Sequence, residues 1–158
     1  MPASSKNPNG EGRLLDAVSP AMKGVEALIT ELAHSTVPVL LIGERGTGKR
    51  TIAERIHANS GIPASEFRTL SCSELLPKVV AANLISGGIT LYLDEIGDLS
   101  PDSQECLIEL LSIPEPGKEQ ARVICGSSRD LERELWSGHF REDLYYRLSG
   151  VCLRIPPL

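Results

Sequence analysis

The chain has 158 residues, 41% hydrophobic and 23% charged, the balance of one soluble globular domain with a real core and not of a disordered segment. Its 16 basic and 21 acidic residues give a net charge of −5, which supplies no general attraction to nucleic acid or to an anionic membrane. No apolar run approaches the roughly 18 residues that span a bilayer, no signal-peptide core opens the chain, and Cys72, Cys106, Cys125 and Cys152 are too scattered for a disulfide frame or zinc site. A cytoplasmic protein with reduced thiols is expected.

Residues 1–12 are small and polar and read as a flexible tail, leaving 13–158 as one domain. Ser19-Pro20 starts a helix, with Ser19 as N-cap, Pro20 in the first position, and Met22, Val25, Leu28, Ile29 and Leu32 on one face. Pro38 ends that pattern before a strand at Val39–Ile42. A helix follows from about Gly48 to Ala58, with Ile52, Ala53 and Ile56 inward, then a turn at Ser60-Gly61-Ile62-Pro63 and a strand at Phe67–Ser71. Leu75–Leu84 suits one short helix, Ile89–Leu93 a strand, and Pro101–Leu111 a helix carrying Leu107, Leu110 and Leu111. Ile113–Glu119 reads as a loop, Arg122–Cys125 and Val151–Ile155 as strands, and Leu131–Trp136 and Arg141–Leu148 as short helices. Strands alternating with helices predict a parallel sheet covered on both faces.

Chemistry concentrates first at Gly43–Lys49, which fits the G-x-x-x-x-G-K core of a phosphate-binding loop. Glycines let the backbone take positive φ and approach phosphates closely. Successive N–H groups then form a concave nest, and the helix behind aims its positive end at the anion. Lys49 would reach the β- and γ-phosphates. The Ser or Thr that usually follows the lysine and holds Mg²⁺ is Arg50 here, with Thr51 one place late. Gly43, Glu44, Arg45, Gly46, Thr47, Gly48, Lys49, Arg50 and Thr51 are the candidate nucleotide-binding residues. A chance Gly-rich turn before a helix is the plainer alternative, but strand, loop and helix occur in the order the motif requires.

A second signature is the apolar strand ending in Asp94-Glu95. A parallel sheet gathers the carboxyl ends of its strands on one edge, so Asp94 belongs near Gly43–Lys49. Asp94 would hold Mg²⁺ of an ATP complex, directly or through water. Glu95 would orient or deprotonate the attacking water. Taken alone, the pair is equally a solvated acidic turn.

The segments GERGTGKRTIAERIHANS, GGITLYLDEIGDLSPDSQ, SSRDLERELWSGHFREDLYYRL and LRIPPL, in that order, carry a family resemblance. The chain from about Leu14 onward resembles the AAA+ domain of sigma-54-dependent transcriptional activators, the bacterial enhancer-binding proteins. The resemblance implies a P-loop NTPase three-layer αβα fold, of which this chain carries the α/β subdomain. It also implies a ring-forming ATPase that remodels the sigma-54 form of RNA polymerase. Arg141 and Arg147 match the family's trans-acting arginine fingers; six apart on one helix, they fall about 240° apart and need not contact the same phosphate. The plainer reading is surface arginines paired with Glu142 or Asp143. Ser127-Ser128 stands where the family has a Thr-Asn sensor, and Ser71 where it has an Asn that holds the catalytic Glu in an inactive pose.

The family's long insertion with a GAFTGA loop is replaced here by Ser73–Ser86, so the sigma-contacting surface is expected to be missing. The chain ends at Pro156-Pro157-Leu158, where the family continues into a helical lid and a helix-turn-helix, so no direct DNA binding is expected. Three readings stay open. One is an ATP-binding domain in transcriptional regulation with weak or assembly-dependent hydrolysis, self-associating or co-assembling with AAA+ activators. Another is a non-hydrolysing regulatory adaptor acting by protein contact, and the third is a remnant without activity of its own. His34, His57 and His139 lack metal-ligand spacing and read as structural or solvated, Cys125 as a small buried hydrophobe, and Trp136 as either core or exposed contact.

Overall fold

The computed structural model describes residues 20–74, 88–112 and 121–157. The expected tail, the helix at Leu75–Leu84 and the loop at Ile113–Glu119 lie outside the described residues. Five strands, β1 (Val39–Ile42), β2 (Phe67–Ser71), β3 (Thr90–Asp94), β4 (Arg122–Ser127) and β5 (Val151–Arg154), form one parallel sheet in the order β2-β3-β4-β1-β5. The described helices are α1 (Pro20–Leu32), α2 (Lys49–Ala58), α3 (Pro101–Ser112), α4 (Leu131–Trp136) and α5 (Glu142–Leu148). None is long and apolar enough to cross a membrane.

Alternation along the strands builds two cores, because successive side chains point to opposite faces. Val39, Leu41, Tyr92, Ile124 and Leu153 meet Val25, Ile29 and Leu32 of α1 and Ile52 and Ile56 of α2. Leu40, Leu91, Leu93, Val123 and Cys125 meet Leu107 and Ile108 of α3, Leu131 of α4, and Leu144 and Leu148 of α5. The central strands are therefore apolar on both faces, as a covered parallel sheet demands. The result is the expected three-layer α/β/α arrangement.

Polar ties fix the layers. Arg122 of β4 donates to the carbonyls of Leu32 and Ala33, supplying a cation to the carbonyl end of α1. Arg55 of α2 pairs with Glu26 of α1 at 2.7 Å. His57, 2% exposed, contacts Thr90 Oγ1 at 2.7 Å through Nδ1 and the Pro63 carbonyl at 2.9 Å through Nε2. A carbonyl only accepts, so Nε2 carries a proton there. His57 is thus a structural staple, while His34 and His139 are exposed.

The strand order sets the functional edge. β4 lies between β1 and β3, so the loop after β1, the Ser127-Ser128 end of β4 and the Asp94-Glu95 end of β3 emerge side by side.

Candidate functional site

The loop after β1 takes the shape its glycines permit. Gly46 and Gly48 have φ of 82° and 88°, the left-handed region that side chains disfavour. Gly43 is needed for a different reason: a Cβ there would lie 2.7 Å from Thr47 Oγ1 and 3.2 Å from the Ile155 backbone oxygen. Its N–H donates to the Ser127 carbonyl at 3.1 Å, tying the loop to the end of β4. Thr47, 6% exposed, donates its hydroxyl to the Glu44 carbonyl at 2.8 Å.

Lys49 opens α2 and is as buried as Thr47. Its Nζ donates to the carbonyls of Gly43 at 2.7 Å and Glu44 at 3.1 Å. The ammonium therefore lies against the inside of its own loop. Arg50 is exposed and pairs with Glu54 one turn along α2 at 3.0 Å. Thr51 is exposed on α2.

An open cleft of about 260 Å³ is lined by Arg45, Gly46, Gly48, Lys49, Arg50, Tyr92, Asp94 and Glu95. It brings together the two separate sequence signatures. Asp94 is half-buried at the end of β3, with the Tyr92 hydroxyl donating to its Oδ1 at 3.4 Å. Glu95 has φ 55° and ψ 63°, a left-handed conformation costing a non-glycine residue about 1 kcal/mol. Its Oε2 accepts from Ser128 N at 3.1 Å and Ser128 Oγ at 2.9 Å. Ser71, in register with Asp94 on the neighbouring strand, instead shares a hydrogen bond with Ser73 at 3.0 Å. The side chain that engages Glu95 is thus Ser128, on the other flank of β3.

The arginines sit apart from this cleft's lining. Arg141 is the residue before α5, with extended φ and ψ, so the helical angle expected between it and Arg147 does not apply. Its guanidinium grips Asp143 at 3.0 and 2.8 Å, the pairing the plainer sequence reading expected. That grip holds the Asp143 carboxyl below the usual carboxylate range. Arg147 donates to the Leu111 carbonyl near the end of α3 at 3.1 Å.

Two residues that matter here escaped sequence reasoning. Gln104, 2% exposed on α3, donates to the Leu99 carbonyl at 3.1 Å and the His139 carbonyl at 3.0 Å, and accepts from Arg141 N at 2.9 Å. It fixes the backbone that presents Arg141. Tyr92 lies under the cleft, and the available signal was its two-residue spacing from Asp94, which puts both on one face of β3. Trp136, left open by the sequence, is 91% exposed.

The donor set fits Mg²⁺ held with a nucleotide better than a protein-only metal site. Among the described residues no three His, Cys, Asp or Glu side chains converge. Mg²⁺ commonly takes one or two carboxylates plus substrate phosphates and waters. Asp94 would be its carboxylate here. Arg50 offers no hydroxyl in the place after Lys49.

Residues 17–158 match the family described as the sigma-54 interaction domain. The chain is 31% identical over 187 aligned positions to the DNA-binding transcriptional regulator NtrC of Proteus hauseri, covering 97% of this chain and 40% of that one. It is 35% identical over 168 positions to the Nif-specific regulatory protein of Klebsiella pneumoniae, covering 89% and 32%. It spans less than half the length of either relative. The solved structure of NtrX from Brucella abortus in complex with ATP superposes with a TM-score of 0.74 at 28% identity, over 88% of this chain and 37% of that one. A P-loop NTPase domain of a sigma-54 activator from E. coli superposes at 0.66 over 96% and 99%, with 22% identity, a likeness of fold.

Proposed function

The chain belongs to the sigma-54 interaction domain family, and from that premise we propose that it binds ATP with Mg²⁺ at the loop after β1 and acts in transcriptional regulation. The observation that carries this reading is the meeting of Lys49 with Asp94 and Glu95 in one cleft. NtrX, a relative of like fold, has been solved with ATP. An incoming phosphate would exchange for the Gly43 and Glu44 carbonyls at the Lys49 ammonium, putting an anionic acceptor in place of neutral ones. The backbone N–H groups from Gly46 to Lys49 would complete the nest. Bound Mg²⁺ would offset phosphate charge, with Asp94 as its carboxylate.

Hydrolysis is slow or assembly-dependent on this reading. Glu95 would orient the water, but its Oε2 is engaged by Ser128. Arg141 and Arg147 are held by partners within the same chain and would reach a nucleotide only across an interface with another subunit. The partner is a second copy or an AAA+ activator of the same family. Direct remodelling of the sigma-54 polymerase is outside the proposed activity. The NtrC alignment is longer than this whole chain, so that relative carries residues in the span with no counterpart here, which supports the reading that Ser73–Ser86 replaces the family's longer insertion. The second reading, a regulatory adaptor without turnover, is favoured by the same Ser128–Glu95 contact.

Calorimetry with ATP and ADP in Mg²⁺, on this chain and on Lys49→Ala, tests the proposal. Binding lost in the variant is expected, and no heat from either protein overturns it. Turnover per subunit should rise with protein concentration if the arginines act across an interface; binding without turnover at any concentration selects the adaptor. A polymerase-activation assay should show no stimulation.

A further inference from the structure

Tyr92 stands in the middle of β3 and is fully buried, yet it lines the cleft beside Asp94. Space for its hydroxyl comes from the neighbouring strand. A Cβ on Gly126 of β4 would lie 2.2 Å from the Tyr92 oxygen and 3.0 Å from the ring carbon that bears it. No side chain larger than hydrogen coexists with the tyrosine in this pose, so the two positions form a matched pair. Phe67 stacks on the ring from β2, with centroids 6.4 Å apart and planes 17° apart, and fixes its tilt. The hydroxyl donates to Asp94 Oδ1 at 3.4 Å. That is long for an O–H···O bond, and it engages one acceptor site of a carboxylate that has about four.

We propose that Tyr92 is the positioning residue for Asp94, its hydroxyl orienting the carboxylate toward the Mg²⁺ of a bound nucleotide in the space that Gly126 leaves. The inference rests on the nucleotide reading above and deepens it by assigning a residue behind the metal carboxylate. Groups behind a metal-binding carboxylate set its direction and commonly govern metal affinity. A phenol carries its proton throughout the neutral range, so the hydroxyl is available as a donor there.

The test is ADP titration of the full chain in EDTA and at graded Mg²⁺, comparing wild type with Tyr92→Phe, Gly126→Ala and the double variant. The EDTA arm reads whatever Tyr92→Phe costs as a residue lining the cleft, and the response to Mg²⁺ is scored against it. The Mg²⁺ concentration giving half the metal-dependent tightening should rise about tenfold, the low end for lost outer-shell partners. Gly126→Ala should show the same Mg²⁺ defect, because its methyl displaces the hydroxyl. The double variant should be no worse than Tyr92→Phe. An unshifted Mg²⁺ response in Tyr92→Phe, or an equal weakening with and without metal, overturns the inference and leaves the nucleotide reading standing. Failure of the wild-type protein to bind ADP under any condition overturns both.

Discussion

Ser128 donates its backbone N–H and its hydroxyl to one oxygen of Glu95, at 3.1 and 2.9 Å, joining the end of β4 to the residue after β3. Glu95 pays for its left-handed backbone, and these two bonds hold the side chain where that backbone sends it. The cleft's second carboxylate is therefore aimed by β4.

Ser128→Ala removes the hydroxyl bond and leaves the N–H bond. A bond to a carboxylate contributes about 1.5 kcal/mol at the low end, which applies because the N–H bond to the same oxygen remains, so thermal unfolding should fall by about 3–6 °C. Ser128 is not among the residues lining the cleft, so ADP affinity should stay within about twofold. Paired with Glu95→Ala, the two losses should be non-additive by about 0.5 kcal/mol or more, as for residues in direct contact. Additive losses would show that the contact does not form in solution.

Gln104→Leu is the second prediction. The substitution keeps side-chain volume but leaves the Leu99 and His139 carbonyls and the Arg141 N–H without their partner. At about 1 kcal/mol for each bond the cost is about 3 kcal/mol, which lowers the unfolding midpoint by roughly 6–12 °C. A drop below about 2 °C would mean that the loop before α5 finds other partners. Any concentration-dependent turnover should be lost in this variant at temperatures where it remains folded, because Arg141 is no longer presented.

These residues mark the limit of what the sequence makes legible. Val39–Ile42, Phe67–Ser71 and Leu131–Trp136 follow from local pattern and were expected with the bounds observed. The meeting of Lys49 with Asp94 and Glu95 followed from two motifs plus the rule that parallel strands end on one edge. Arg141 was expected inside a helix and lies before it, because its N–H goes to Gln104, 37 residues away, a tie that no local period encodes. The Tyr92–Gly126 fit likewise joins two strands and has no signature in either. The short turns at Ala64–Glu66, Cys72–Glu74 and Ile96–Asp98 went unforeseen because one turn of helix carries no apolar repeat.

Gly43 and Gly46 should fail as alanines for different reasons. At Gly43 the added methyl meets Thr47 Oγ1 at 2.7 Å and Ile155 at 3.2 Å. At Gly46 it meets nothing within 4 Å, and the cost is the 82° φ alone, about 1 kcal/mol. Adding Thr47→Ala removes the nearest clash atom. It should recover part of the stability lost in Gly43→Ala and none of that lost in Gly46→Ala, as read by urea unfolding. Equal recovery in both would show that the loop adjusts as a unit.

The buried thiols give the protein an alkaline weakness. Burial pushes Cys72 and Cys125 well above the ordinary thiol value, with nearby Asp94 adding to the effect at Cys72. Their folded-state values are raised, so the stability they contribute is complete below the unfolded thiol range and is lost as pH rises toward the folded values. From about pH 9, where an unfolded thiol ionises and these do not, stability should fall by about 1.4 kcal/mol per pH unit for each thiol. Tyr92, raised by burial and by Asp94, adds a similar slope above about pH 10. Urea midpoints measured between pH 8 and 10 should decline in wild type and decline less in Cys72→Ala/Cys125→Ala. A wild-type curve as flat as that of the double variant would mean that water reaches both thiols. Alkylation at pH 8 gives an independent reading: Cys152 is exposed while Cys72 and Cys125 are buried, so Cys152 should be modified first and the other two only on unfolding.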